Sequence, residues 1–301
     1  MLTLRAKAGV LVGGVVAAAL AAGVATSVVS PAQATESAQV TESNRATESN
    51  QATESNQVAE SAQAADLDSP EKKDIAMQLV SSAENSSLDW RAQYGYIEDI
   101  GDGRGFTGGI IGFTSGTHDM LELVERYTDE HPGNGLEKFL PALRAVDGTD
   151  STAGLGQAYV RAWEAEAEKA AFQQAQDAER DRAYFDPAVE QAKADGLRAL
   201  GQFAYYDAMV MHGPGEDPVS FGGIRATALR NATPPSQGGD ETVYLDAFLD
   251  ARKAAMLTEE AHSETGRVDT QQRKFLREGN LDLDPPLRWT VYEGDPVYEI
   301  L

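Results

Sequence analysis

The segment Leu200–His212 is apolar almost all round and carries one charge, Asp207, in line with Phe203 and Val210. A helix without a polar face belongs in the middle of a domain, so the fold has to assemble around this segment. A carboxylate buried there demands a partner. On a later helical segment Arg252 and Glu259 stand seven residues apart and so share a face, one cation and one anion able to line a single surface. A chain of 301 residues has room for one large domain or two small ones, but its first 64 residues resemble neither.

Arg5 and Lys7 precede an Ala/Val/Gly/Leu run from Ala8 to Val29, and Pro31-Ala32-Gln33-Ala34 supplies the small residues of a cleavage site. This pattern reads as a secretory signal peptide over 1–34, cut near Ala34. An uncleaved anchor is the alternative, because the run just reaches spanning length, but its Gly and Ala content and the cleavage signature favour the signal. From Thr35 to Ala64 a six-residue unit repeats five times: TESAQV, TESNRA, TESNQA, TESNQV, AESAQA. It has no aromatic and almost no large apolar residue, so it cannot offset the entropy of ordering, and a disordered spacer is expected over 35–64. The folded domain is then 65–301, in a secreted, extracellular protein.

The chain carries 48 acidic and 25 basic side chains, a net charge of −23. With Arg5 and Lys7 of the leader and the five glutamates and one arginine of the repeat set aside, −21 remains on residues 65–301. Such a surface excludes nucleic acid, whose phosphates require cationic partners, and favours a cationic ligand. There is no cysteine, which removes thiol catalysis, zinc ribbons, iron–sulfur clusters and disulfide scaffolds together. The histidines 118, 131, 212 and 262 are scattered, with no His-Glu-x-x-His helix and no Gly-x-Ser-x-Gly elbow. Glu259-Glu260-Ala261-His262 contains one Glu-x-x-His, one copy short of a di-metal bundle, so neither a metal nor another cofactor is expected.

Ser69-Pro70-Glu71 starts a helix, with a stripe at Ile75, Ala76, Leu79, Val80 and Ala83 and an end near Glu84–Ser87. The aromatics Tyr94 and Tyr96 lead through a glycine-rich turn into Ile110–Phe113, which predicts a small sheet. Helical periodicity follows near 118–128, 135–146, 161–182, 187–198, 200–212, 221–231, 239–261 and 268–278. The chain is mainly α with one small β element. Gly103-Arg104-Gly105-Phe106-Thr107-Gly108 fits a dinucleotide-binding pattern but not the βαβ setting such a site requires. Trp90, Trp163 and Trp289 are read as core rather than as sugar-stacking platforms.

Two acids stand out. Glu84 ends the first helix, where partial burial and the negative end of the helix dipole would favour its protonated form, as a general acid needs. Asp102 lies among five glycines in the nine residues 101–109, bare backbone that lets a bulky substrate approach and is expected to leave the carboxylate wet and ionised. One carboxyl kept protonated and one kept charged is the glycosidase arrangement, although Asp-Gly is also good turn chemistry.

The stretches Ser81–Ser87, Tyr96–Gly109, Leu200–Asp207, Val210–Gly213 and Asn280–Pro286 closely resemble the endo-chitosanases of glycoside hydrolase family 46. The likeness runs from about Leu67 to the C-terminus. It implies a mainly α, lysozyme-like α+β fold, with two helical lobes around a substrate cleft and the small sheet in the N-terminal lobe. It further implies a monomer that hydrolyses β-1,4 glucosamine bonds of chitosan, a cationic polysaccharide, with inversion and without contact to a membrane after signal cleavage. By the resemblance Glu84 is the general acid, Asp102 the general base, and Thr107 the hydroxyl that helps hold the attacking water. Asp207, Arg252 and Arg267 match a network that orients the acid. Asp119 and Glu259, with Tyr96, Arg104 and His212, match substrate contacts. Thr114 stands where some relatives have cysteine, and Ser263 where an acidic cleft residue is more usual.

Three alternatives are distinguishable. A hydrolase of partly acetylated chitin or peptidoglycan would use the same acids, but enzymes facing anionic cell walls profit from a basic surface. A non-catalytic chitosan-binding protein would keep the acidic cleft without needing Glu84 opposite Asp102. A structural surface protein explains the repeat and none of the motifs.

Overall fold

The computed structural model describes residues 66–258, 264–292 and 296–301. The signal and spacer readings, and the reading of Glu259, fall outside the described residues. The first helix, α1 (Pro70–Glu84), opens with proline at its first turn and buries Ile75, Ala76, Leu79, Val80 and Ala83, the stripe expected from spacing. The small sheet follows as β1 (Ile97–Asp99), β2 (Phe106–Gly108) and β3 (Phe113–Thr114), antiparallel in that order, with Glu98 opposite Thr107 and Thr107 opposite Thr114. Thr107 is therefore the central residue of the central strand.

Helices α2 (Asp119–Glu130), α3 (Leu140–Val146), α4 (Gly156–Ala167) and α5 (Ala170–Arg180) complete the N-terminal lobe around this sheet. The second lobe contains α6 (Asp186–Ala194), α7 (Ala199–His212), α8 (Phe221–Asn231), α9 (Glu241–Met256) and α10 (Arg273–Arg277), with the antiparallel pair β4 (Leu287–Trp289) and β5 (Tyr298–Ile300). The fold is mainly α, with two helical lobes and a small sheet in the first. Every residue of α7 except Val210 is buried, and the helix packs against α1, α6, α8 and α9. This is the central helix that its composition demanded.

The single helix expected over 161–182 is instead two. The chain breaks at Glu168–Lys169, where Lys169 is extended, because the buried Glu166 is committed sideways: it accepts hydrogen bonds from Tyr127, Lys169 and the Gly135 amide. The reversal lets Phe172 pack edge-on against Trp163, ring centroids 4.9 Å apart. From α5 the chain then runs into α6 without a break through a π-helical turn, Asp181–Phe185. A second π-helical turn, Arg267–Gln272, leads into α10 within the segment expected as helix 268–278. The helix expected over 135–146 begins as a 3₁₀ turn at Glu137–Phe139.

Trp90, Trp163 and Trp289 are all core residues. Trp163 donates its indole N–H to the Tyr94 carbonyl at 3.1 Å and lies so close behind Gly108 that a β-carbon there would meet its ring at 3.2 Å. It is the backing of the strand that carries Thr107. Trp163→Ala is expected to lower stability by about 3–5 kcal/mol, since the cavity cannot close against a sheet fixed by its own ladder, and the shift of the chemical-denaturation midpoint measures it.

Candidate active site

Glu84 is the last residue of α1 and keeps 29% of its side chain exposed. Its Oε1 accepts a hydrogen bond from Arg267 Nη2 at 2.5 Å. Arg267 is the first residue of the second π-helical turn and lies 3.7 Å from Asp207 Oδ1. On its other side, Asp207 Oδ2 accepts from Arg252 Nη1 at 2.6 Å and from Gln272 Nε2 at 2.7 Å. A continuous chain Glu84–Arg267–Asp207–Arg252 results, and its inner members are sealed: Asp207 is 1% exposed and Arg252 0%.

Burial alone would drive Asp207 towards its neutral form. The two guanidiniums and the hydrogen bonds from Arg252 and Gln272 outweigh it and hold the carboxyl below the ordinary aspartate value of 3.8. Arg267 is pushed up, because the attraction of Asp207 and Glu84 exceeds its desolvation. Gln272, which bridges Arg252 and Asp207, was invisible in the sequence, where it is one uncharged residue of a helical segment. Tyr292 was likewise missed; its hydroxyl donates to the Ala83 carbonyl at 2.8 Å and so ties down the backbone beside Glu84.

Asp102 sits in the β1–β2 loop, flanked by Gly101 and Gly103, both at positive φ, as is Gly105. A β-carbon at Gly105 would collide with the Ser115 hydroxyl, so the loop can close onto β3 only with glycine there. The expectation of a wet carboxylate is not met: the Asp102 side chain is 4% exposed, covered by Arg104. Arg104 donates its backbone N–H to Oδ1 at 3.0 Å and its Nε and Nη2 to Oδ2 at 2.9 and 2.6 Å. Bare glycine backbone exposes the loop, but the one long side chain within it folds back over the acid. Thr107 is buried next to this loop, and its Oγ1 has no hydrogen-bond partner among the described residues.

Asp119 opens α2. Its Oδ1 accepts from the Thr114 and Met120 amides, both at 2.9 Å, and from the Thr117 hydroxyl at 3.2 Å, while Oδ2 accepts from the Tyr184 hydroxyl at 3.3 Å. Desolvation nevertheless prevails and raises its pKa to about 6. Thr114, where some relatives carry cysteine, thus serves through its backbone and pairs its hydroxyl with Thr117. Tyr96 precedes β1, and its hydroxyl lies 3.4 Å from Glu98; burial and that carboxylate push its pKa up to about 12. His212 is buried at the end of α7, its Nε2 3.5 Å from Arg252 Nε, so it adjoins the ion chain.

A fold of two helical lobes, with one acid on an ion chain and a second in a glycine loop, has the architecture of a polysaccharide-cleaving hydrolase. Residues 78–287 match the sequence model of Glycosyl hydrolase family 46. The chain is 72% identical to a chitosanase of a Streptomyces species over 232 residues, 77% of this chain and 83% of that protein. It is 37% identical to a chitosanase of Bacillus subtilis over 228 residues, covering 72% and 81%. Among solved structures, a chitosanase co-crystallised with substrate superposes with a TM-score of 0.76 at 64% identity, covering 78% of this chain and 99% of that one. A family 46 chitosanase of Gynuella sunshinyii in complex with chitotetraose superposes at 0.70 and 36% identity, covering 76% and 97%. The chain belongs to glycosyl hydrolase family 46, and it is a glycoside hydrolase with the lysozyme-like fold of that family.

Removing the Asp207 charge leaves the buried Arg252 without its anion and Arg267 with Glu84 alone, so Asp207→Asn is expected to cost about 3–5 kcal/mol at neutral pH. The depressed pKa fixes the pH window: the stabilisation is present above 3.8 and is lost as pH falls through the lower folded-state value. Denaturation midpoints measured from pH 7 down to acid should therefore fall for the wild type below about 3.8 and fall less for Asp207→Asn.

Proposed function

We propose that this protein is a secreted, endo-acting chitosanase that hydrolyses β-1,4-linked glucosamine bonds with inversion of the anomeric centre, Glu84 acting as general acid and Asp102 as general base. The observation that carries this reading is the attachment of Glu84 to the buried Arg252–Asp207–Arg267 chain. Arg267 occupies Oε1 and leaves Oε2 to carry the proton. Glu84 gives that proton to the glycosidic oxygen as the C1–O bond breaks. Asp102 takes a proton from a water whose oxygen attacks C1 from the opposite face, an arrangement that needs roughly 6.5–9.5 Å between the carboxyl groups.

Arg104 fixes the plane of Asp102 by two bonds to Oδ2, and Oδ1, which accepts the Arg104 amide, retains a second lone pair with which to accept from water. The unpartnered Thr107 hydroxyl supports a role in holding that water, since a buried polar atom left without a protein partner is a place for one. After the step the Glu84 carboxylate is ionised, and Arg267 steadies it. Asp207 offsets enough of the Arg267 charge that the acid is oriented without being surrounded by uncompensated cations.

The substrate contacts in this reading are Asp119 and Glu259, with Tyr96, Arg104 and His212 behind them. Asp119, once ionised, receives an ammonium group of the polymer. The acidic excess favours a polyamine over an anionic cell-wall glycan, both at contact and through the long-range field. Release of the mature protein follows cleavage near Ala34, and the hexapeptide repeat serves as a spacer ahead of a catalytic domain over 65–301. Protein recovered from culture medium should then begin at or near Thr35 on N-terminal sequencing.

Viscosity of fully deacetylated chitosan should fall rapidly with the wild type and hardly at all with Glu84→Gln or Asp102→Asn, each with an unchanged circular-dichroism spectrum. Proton NMR of the first products should show the α-anomer. Retained binding without any viscosity loss by the wild type would move the assignment to a related amino-sugar polymer or to a binding protein.

A further inference from the structure

Asp119 holds its two oxygens in unlike surroundings. Oδ1 is saturated by two backbone amides and the Thr117 hydroxyl, whereas Oδ2 accepts from Tyr184 alone among the described residues. Oδ2 is thus the oxygen left with acceptor capacity for a ligand. Tyr184 reaches it from 65 residues away in sequence, out of the π-helical turn Asp181–Phe185 that joins α5 to α6. A π turn inserts an extra residue into the helical winding and rotates the side chains that follow relative to a regular helix; such turns gather at functional sites. The other π turn among the described residues presents Arg267 to Glu84, so both turns deliver a side chain to one of the acids singled out above.

We propose that Tyr184 is a positioning residue for the ammonium-binding Asp119: its hydroxyl fixes the direction of Oδ2 and favours the charged form of that carboxylate. This rests on the assignment of Asp119 as a substrate contact made above. The phenol is a dependable donor, since burial and the adjacent Asp119 push its own pKa well up. A hydrogen bond donated to a carboxylate favours the charged form, so Tyr184 opposes the desolvation that raises Asp119. The other charges facing this pair are accounted for elsewhere. Glu122 and Glu179 are both bridged by Arg182, Arg104 is on Asp102, and His118 is paired with Asp147 at 2.8 Å.

The test is steady-state kinetics on a soluble glucosamine hexamer from pH 4 to 7 with the full chain, Tyr184→Phe and Asp119→Asn. For the wild type, KM should rise as pH falls through about 6, where Asp119 takes up a proton. Loss of one hydrogen bond should move that rise upward by roughly half to one pH unit, so that at pH 5 the KM of Tyr184→Phe is about three- to ten-fold above wild type while kcat changes less than about two-fold. In Asp119→Asn the rise should be absent. An unchanged KM profile in a folded Tyr184→Phe protein overturns the role of Tyr184, and a wild-type profile in Asp119→Asn overturns instead the assignment of Asp119 on which it rests. Should Tyr184→Phe not fold, 3,5-difluorotyrosine placed at position 184 is a stronger donor on the same ring. It has to move the rise downward in pH, and a rise that stays in place or moves upward refutes the proposal.

Discussion

The ion pair between Asp207 and Arg252 is the constraint to which the rest of the site is fitted. Neither side chain meets solvent, and moving two such charges out of water costs several kcal/mol per ion even after relaxation. Direct attraction at 2.6 Å is supplemented by further hydrogen bonds to Oδ2 and to the guanidinium, while Oδ1 accepts none among the described residues and faces Arg267 at 3.7 Å. Gln272 gives one N–H to Asp207 and accepts one from Arg252, and the Asp207 backbone carbonyl accepts a second guanidinium nitrogen at 3.3 Å. Hydrophobic residues of equal volume would stabilise the core at least as well. What they would not do is hold Arg267, the only link in this chain that reaches Glu84, so the pair is better understood as the anchor of the acid than as a source of stability.

Regular structure supplies the frame, and departures from it supply the site. The ends and irregularities matter most: Glu84 is a last helical residue, Asp119 a first one, Arg267 and Tyr184 lie on π-helical turns, and Asp102 lies between two glycines at positive φ. At each of these points the backbone either leaves hydrogen-bonding groups uncommitted or turns a side chain out of the ordinary register. A packed interior is needed behind them, and Trp163 behind Gly108 and Trp289, bonded to Ser82 of α1, provide it on the two sides.

Periodicity was sufficient for the elements with one long apolar stripe. It found α1 and α8 nearly to the residue because burial there follows the helical repeat, while α7 was found by its unbroken apolar run. It missed the break between α4 and α5, since that break is caused by a buried glutamate whose partners, Tyr127 and Gly135, are distant in sequence. The same limit applies to the site. Asp207 was legible as a lone charge in an apolar helix, and its arginines came from the family resemblance, but Gln272, Tyr292 and Tyr184 are neutral side chains whose importance is a matter of what they touch. Asp102 was found, yet its surroundings were misjudged, because composition reports that the loop is glycine-rich and not that Arg104 folds back over it. The helix expected over 239–261 ends at Met256, with Leu257 and Thr258 in a turn, so the helical spacing that put Glu259 on the face of Arg252 does not reach it; Glu259 itself lies outside the described residues.

The electrostatics of the domain also separate into two roles that the net charge merges. Many of its acids are paired locally: Asp246 and Asp250 share Arg273, Asp282 is on Arg198 and Asp195 on Arg225. Local pairing limits the self-repulsion that an excess of this size imposes on a compact chain, while the unbalanced remainder still produces an attractive field for a polycation. Asp119 differs from these acids in having no basic partner among its hydrogen bonds, only amides and hydroxyls. Neutral donors position a carboxylate without cancelling its charge, and they leave it exposed to the full cost of desolvation, which is why its pKa climbs to about 6. An acid prepared in this way is least stable when charged and alone. An ammonium arriving at Oδ2 relieves that cost, so under the proposed function the energy spent on burying Asp119 is returned when substrate binds, and an acid already paired with arginine would have no such preference to offer.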